Sequence, residues 1–267
     1  MKKFAFKKVY LFFSSLFIFC LHIPFVFAKA KPVDAIVDTN AAVHTYTLVD
    51  FQMWKAIGDP TCTVNLYDSL NLGSLGLTRQ AYNYAIKGFD VMKSDGELNN
   101  KNIISIVDFS KPSSQKRLFV IDLANGRLLF NTYVAHGMQS GREFAKQFSN
   151  KPESLKSSLG FYETLGTYIG GNGYSLRLEG IEKGINDNAS KRDIVIHGAE
   201  YVNENIIRSK GYIGRSWGCP ALPQRLHKAI IDVIKNGTCL FIFSPDNNYL
   251  SHSRILNQSS GQLLANK

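Results

Sequence analysis

At 267 residues, 45% hydrophobic and 19% charged, the chain is long enough to bury a substantial core, and its composition argues against a disordered or coiled-coil protein. The formal charge is +10, but Lys2, Lys3, Lys7 and Lys8 fall in the first eight positions, leaving about +6 for the rest. No run of Lys and Arg with interleaved aromatics occurs, which argues against a nucleic-acid partner.

The basic start is followed by an uncharged run over residues 9–27 and then Ala28-Lys29-Ala30, the small-x-small pattern of a signal-peptidase site. Residues 1–30 read as a signal peptide. An uncleaved anchor is the alternative, because ~19 apolar residues come close to spanning a bilayer. Either way the remainder is expected to be exported, to the periplasm or cell envelope, with membrane contact confined to this segment. Residues 31–60 read as a linker, 61–100 as a helical segment packed on the core, 101–248 as the main domain and 249–267 as a flexible tail. A monomer is expected.

With Cys20 in the leader, Cys62, Cys219 and Cys239 form an odd set, so at least one thiol is unpaired. A Cys62–Cys239 bridge would leave Cys219 free. Two free buried cysteines fit as well, since Cys239 sits in the apolar run 238–243.

Thr78 is placed to cap a helix to about Met92, with Ala81, Ala85, Ile86, Phe89 and Met92 on one stripe. Beyond residue 100 the pattern turns to strands at 103–109 and 117–123. Asn125-Gly126 then predicts a type I′ turn into a hairpin partner over 127–135. Further strands are predicted at 160–169, 174–178 and 193–196. Pro223 is read as opening a helix with Leu226, Ile230, Val233 and Ile234 inward and Gly237 as its stop. A buried strand follows over 238–243. The expected fold is mostly β with peripheral helices.

The strand 193–196 runs into His197-Gly198, and about twenty residues later comes Ser216-Trp217-Gly218-Cys219-Pro220. An imidazole that takes a thiol proton, and a thiolate that attacks a carbonyl, make a sufficient nucleophilic pair, while a buried structural cysteine fits the same spacing equally well. Gly218 lets the backbone turn sharply, so that the N–H groups of Gly218 and Cys219 can face an oxyanion.

These residues resemble the His-Gly … Ser-x-Gly-Cys signature of the L,D-transpeptidases, enzymes that remodel peptidoglycan. Within that superfamily, segments 108–113, 135–141, 148–150, 157–161 and 173–178 are similar to a branch with a Ser-Trp-Gly-Cys-Pro motif. The similarity runs over roughly residues 60–245. It implies a β-sandwich or barrel catalytic core preceded by a small helical segment. It also implies Cys219 as nucleophile, His197 as base, peptidoglycan stem peptides as partners, and neither metal nor organic cofactor. The thioester formed would be resolved by an amine, giving a cross-link, or by water, giving an L,D-carboxypeptidase. A catalytically idle wall-binding protein on the same fold is the non-enzymatic alternative.

Other residues have lesser expectations. Ser216 could orient His197 or the turn, and Trp217 could pack or wall the cleft. His136-Gly137 is a second His-Gly pair at a strand end, either structural or lining the pocket. Many superfamily members have His where Trp217 stands and an Arg shortly after the Cys. Here Pro220-Ala221-Leu222-Pro223 follows, and Arg215 is read either as holding a substrate carboxylate or as an ordinary surface arginine.

Overall fold

A computed structural model describes residues 66–258. Eight strands form one sheet in the order β3-β2-β1-β8-β4-β5-β6-β7. They are β1 (Ile103–Asp108), β2 (Leu118–Asp122), β3 (Arg127–Thr132), β4 (Gly160–Gly170), β5 (Gly173–Gly180), β6 (Val195–Ala199), β7 (Ala221–Pro223) and β8 (Cys239–Phe243). Pairing is antiparallel except for β1 with β8 and β6 with β7. The mostly-β expectation holds.

The final strand, Cys-Leu-Phe-Ile-Phe, is apolar at every position and lies inside the sheet between β1 and β4, buried on both faces. Uniform apolarity, rather than alternation, is what a strand covered on both faces requires. Cys239 is a free thiol with no exposure, its Sγ 3.7 Å from the Met92 sulfur. Cys62 lies outside the described residues, as do the expected signal segment and linker.

Helix α1 (Leu66–Ser69) precedes α2 (Arg79–Ser94), which packs on β1 and β8. Thr78 caps α2 as its sequence predicts, accepting from the Ala81 N–H at 3.2 Å. The Asp108 carboxylate in turn accepts from the N–H and hydroxyl of Thr78, joining the helix start to the end of β1. Ala81, Ala85, Phe89 and Met92 are buried as expected, while Ile86 is half-buried and Gly88 joins the buried face.

Gly88 gives a clear prediction. Helix propensity alone would make Gly88→Ala stabilising by about 1 kcal/mol. A Cβ there would lie 1.9 Å from the ring of Phe161, which is fully buried and stacked on Phe241 at 4.1 Å between centroids. Overpacking costs roughly 1–3 kcal/mol and a trapped ring cannot swing aside. Thermal unfolding of Gly88→Ala is therefore expected at a lower temperature than wild type, and a raised midpoint would contradict this packing.

The structure corrects four local expectations. Asn125 has no positive φ, so the β2–β3 connection is not a type I′ turn. Asp122 accepts from the Asn125 backbone and side-chain amides at 3.0 and 2.8 Å, drawing residues 123–126 into a four-residue loop with Gly126 at φ 59°. His197 lies in the middle of β6, not at a strand end. Pro223 closes the short edge strand β7 instead of opening a helix; after α3 (Glu204–Lys210), the next helix, α4, starts at His227 and runs to Ile234. Edge strands tolerate Pro because an outward N–H has no partner to lose.

The fourth correction concerns the tail. Residues 249–257 are not loose: α5 (Asn247–His252) and α6 (Arg254–Asn257) bury Tyr249, Ile255 and Leu256. The buried Glu182 carboxylate accepts from the Phe161 N–H, the Tyr249 hydroxyl and the Ser253 hydroxyl, fastening these helices to β4. Among the described residues no helix is long and apolar enough to cross a membrane.

Candidate functional site around Cys219 and His197

Strand β6 carries His197, with Ser175 of β5 opposite on one side and Ala221 of β7 on the other. The imidazole is buried, and its Nδ1 lies 2.9 Å from the Gly198 carbonyl oxygen. A carbonyl only accepts, so Nδ1 bears the ring proton in the neutral form and Nε2 keeps its lone pair. Burial holds the His197 pKa below the ordinary imidazole value, and nearby His227 lowers it further, against an upward pull from the Gly198 carbonyl. Gly198 itself is a close-approach position: a Cβ would meet Gln224 at 2.4 Å and His227 at 2.6 Å.

The Cys219 turn is fastened to the preceding segment through Ser216. The Ser216 N–H donates to the His136 carbonyl at 3.0 Å, and its own carbonyl accepts from the Met138 N–H at 2.8 Å. Within the turn, the Ser216 hydroxyl donates to the Cys219 carbonyl at 2.6 Å and accepts from the Gly218 N–H at 3.1 Å. Ser216 therefore orients the turn and does not serve His197. It also engages the Gly218 N–H, which the sequence motif leaves available for an oxyanion. Gly218 has φ +132°, and a Cβ would meet the Lys156 carbonyl oxygen and Ile194 Cδ1, each at 2.9 Å. Only glycine fits here without strain.

The half-buried Cys219 Sγ accepts from the Val195 N–H and faces the Asp193 carbonyl oxygen as donor, both at 3.5 Å. The thiol thus lies on the backbone that leads into β6, two residues before His197. Burial raises the Cys219 pKa; the Val195 N–H and the Arg192 charge pull it down by less. The thiol pKa is raised and that of the imidazole lowered, the directions that favour a neutral thiol and a neutral imidazole.

His136 does not line an open pocket. It has no exposure, its Nδ1 is 2.8 Å from Arg117 Nη2, and its Nε2 is 3.3 Å from the Gly141 carbonyl oxygen. The guanidinium can only donate, so Nδ1 accepts and Nε2 carries the proton toward Gly141. Burial, helped by the Arg117 charge, holds its pKa at about 3, leaving it neutral. Gly137 is a backbone contact, since a Cβ would meet the Leu155 carbonyl oxygen at 2.5 Å. Arg215 Nη1 donates to the carbonyls of Met138 and Gly141 at 3.1 and 3.0 Å, bracing the same loop. Trp217 is 75% exposed, which rules out a packing role and leaves it on the surface of the Cys219 turn.

Sequence reasoning missed Arg192 and Tyr201. Arg192 donates to the carbonyls of Ser149 and Lys156 and to the hydroxyls of Ser154 and Ser158, so it gathers segment 149–158 beside Cys219. The Tyr201 side chain lies against Gly214, where a Cβ would come within 2.5 Å of the Tyr201 Cβ and 2.7 Å of its ring. Burial raises its phenol to about 12, and the nearby Cys219 charge adds to this. Both reach the site from positions that no local spacing relates to Cys219.

The model of the L,D-transpeptidase catalytic domain matches residues 74–243, a span that takes in α2 as well as the sheet. No curated protein matches the sequence. Among solved structures, an L,D-transpeptidase from Mycobacterium smegmatis aligns at 14% identity and TM-score 0.33, over 54% of this chain and 59% of that one. The helical cell shape determining protein from Campylobacter jejuni aligns at 13% identity and TM-score 0.37, over 64% and 58%. An L,D-transpeptidase from Stackebrandtia nassauensis aligns at 16% identity and TM-score 0.32, over 61% and 66%. The chain thus spans about three-fifths of the lengths of these solved chains.

Proposed function

Because the chain belongs to the L,D-transpeptidase catalytic-domain family, we propose that it is an exported peptidoglycan-modifying enzyme that works through a Cys219 thioester with His197 as base. The observation that carries this reading is the His197 tautomer: Nδ1–H is directed at the Gly198 carbonyl, leaving Nε2 free to accept a proton.

In the first half-reaction the Cys219 thiol turns from the Asp193 carbonyl, gives its proton to His197 Nε2, and attacks the carbonyl between an L-centre and a D-centre of a stem peptide. The tetrahedral intermediate collapses, the C–N bond breaks, and the leaving amine takes the proton back from His197. A D-amino acid departs and a thioester remains. In the second half-reaction an amine of another stem peptide attacks the thioester and loses a proton to His197. The C–S bond breaks, and the sulfur recovers that proton. A neutral resting pair suits this sequence, because proton transfer accompanies attack and no thiolate waits exposed to oxidants.

The test is incubation of purified protein with a disaccharide-tetrapeptide, followed by mass analysis of the products. Cross-linked dimers are expected. Tripeptides alone would reassign the enzyme as an L,D-carboxypeptidase, and unchanged substrate would favour a wall-binding protein.

A further inference from the structure

Segments 135–141, 148–150 and 157–161 stand out in the sequence yet contain neither the nucleophile nor the base. In the structure they meet at one side chain, Ser157, which is 1% exposed. Its hydroxyl lies 3.0 Å from the Gly137 N–H and 3.0 Å from the Gly218 carbonyl oxygen. The Gly137 N–H can only donate, so the hydroxyl accepts there and spends its own proton on Gly218. The Ser157 N–H donates to the Ser140 hydroxyl at 2.9 Å, and its carbonyl accepts from the Ser149 N–H at 3.0 Å. Every polar atom of Ser157 is engaged, which makes it a fixed post beneath the nucleophile turn.

Its position has a consequence across the Gly218–Cys219 peptide. That bond is trans, so the carbonyl and the N–H point in opposite directions. Drawing the Gly218 carbonyl inward to Ser157 turns the Cys219 N–H the other way. Among the described residues that N–H has no acceptor except its own sulfur, beside which it lies. The neighbouring Gly218 N–H is already held by Ser216.

We propose that Ser157 is a positioning residue that aims the Cys219 N–H at the developing oxyanion, by locking the Gly218 carbonyl on the opposite side of the same peptide. An oxyanion donor is effective when its direction is fixed before the reaction, since reorienting it during bond formation costs activation energy. Without the hydroxyl, the Gly218 carbonyl loses this donor and the peptide can rotate. The inference rests on Cys219 being the nucleophile proposed above.

Two electrophiles separate this role from general support of the fold. Iodoacetamide reacts with Cys219 by displacement at a saturated carbon, which forms no oxyanion. The carbonyl of p-nitrophenyl acetate forms one. Adducts are quantified on the Cys219 peptide at pH 8, with Cys219→Ala as the blank. In Ser157→Ala, acetylation should slow by about 10–100-fold, short of the full loss of an oxyanion donor, while alkylation stays at the wild-type rate. Equal slowing of both reactions would reduce Ser157 to a structural residue, and no slowing of either would overturn the inference. If wild-type Cys219 is alkylated but never acetylated, the oxyanion assignment falls. If it reacts with neither, the nucleophile assignment falls with it. Ser140→Ala, which removes the acceptor of the Ser157 N–H but keeps the Ser157 hydroxyl, covers the case where Ser157→Ala does not fold. It should slow acetylation alone and by a smaller factor, and a result with no selective loss counts against the inference.

Discussion

Cys219→Ala is expected to abolish turnover of a stem-peptide substrate, by about 10⁴-fold or more, while leaving the thermal unfolding midpoint close to wild type. The size follows from the chemistry: without the sulfur no thioester forms, and losing a nucleophile removes the whole covalent path. The mild effect on stability follows from the site. The Cys219 side chain makes two long contacts of 3.5 Å and is only half-buried, whereas the turn itself is held by Ser216, Ser157 and the backbone of residues 136–138. A variant that unfolds together with losing activity would mean the thiol supports the fold. A variant that retains turnover would remove Cys219 from the mechanism.

His197→Ala should lower kcat/KM by about 10²–10⁴-fold, the range for removing a general base. Its pH dependence is more diagnostic than its size. In the proposed mechanism the reactive form needs His197 neutral and the Cys219 proton still available for transfer. Burial lowers the imidazole pKa below 6.5, so the base persists to lower pH than an ordinary histidine would allow. Burial raises the thiol pKa above 9.0, so the upper limb shifts to higher pH. Wild-type kcat/KM is therefore expected to show a broad plateau, with limbs below 6.5 and above 9.0. Alkylation of the resting thiol should still be climbing at pH 9. A level alkylation rate from about pH 6 upward would reveal a resting ion pair and contradict the neutral one. In His197→Ala the acid limb of residual activity should disappear.

The sequence made some of this legible and hid the rest for physical reasons. Helix α2 was readable because its apolar stripe and its capping Thr78 are local signals. Strand β8 was readable because a strand buried on both faces must be apolar throughout. The β2–β3 turn was misread because Asn-Gly favours type I′ only when nothing competes, and Asp122 competes for the Asn125 N–H. Strand β7 went unseen because Pro220 and Pro223 read as breakers, whereas a three-residue edge strand beside β6 accommodates them. The C-terminal helices were lost among polar neighbours, although Tyr249, Ile255 and Leu256 were the visible apolar residues.

At the site the division is similar. The motif singles out Cys219 and His197, and the Cys219 sulfur lies on the Val195 N–H, two residues before His197 along β6. His136 was ambiguous because a strand-end histidine can serve a substrate or satisfy a buried charge, and here it satisfies Arg117. Arg192, Tyr201 and Ser157 act over separations of 18 to 62 residues from Cys219, where periodicity carries no information. What the sequence could show of Ser157 was only that its segment belonged to a recognisable series of motifs.

Formation of the proposed acyl-enzyme on Cys219 can be tested in a single turnover. Enzyme is mixed with excess tetrapeptide donor in the absence of acceptor, quenched in acid and digested, and the Cys219 peptide is weighed. The expected result is a tripeptidyl adduct on Cys219 that appears with release of one D-amino acid and vanishes when an acceptor amine is added. Release of the D-amino acid with an unmodified Cys219 peptide at every time point, or an adduct mapped to another residue, would contradict it.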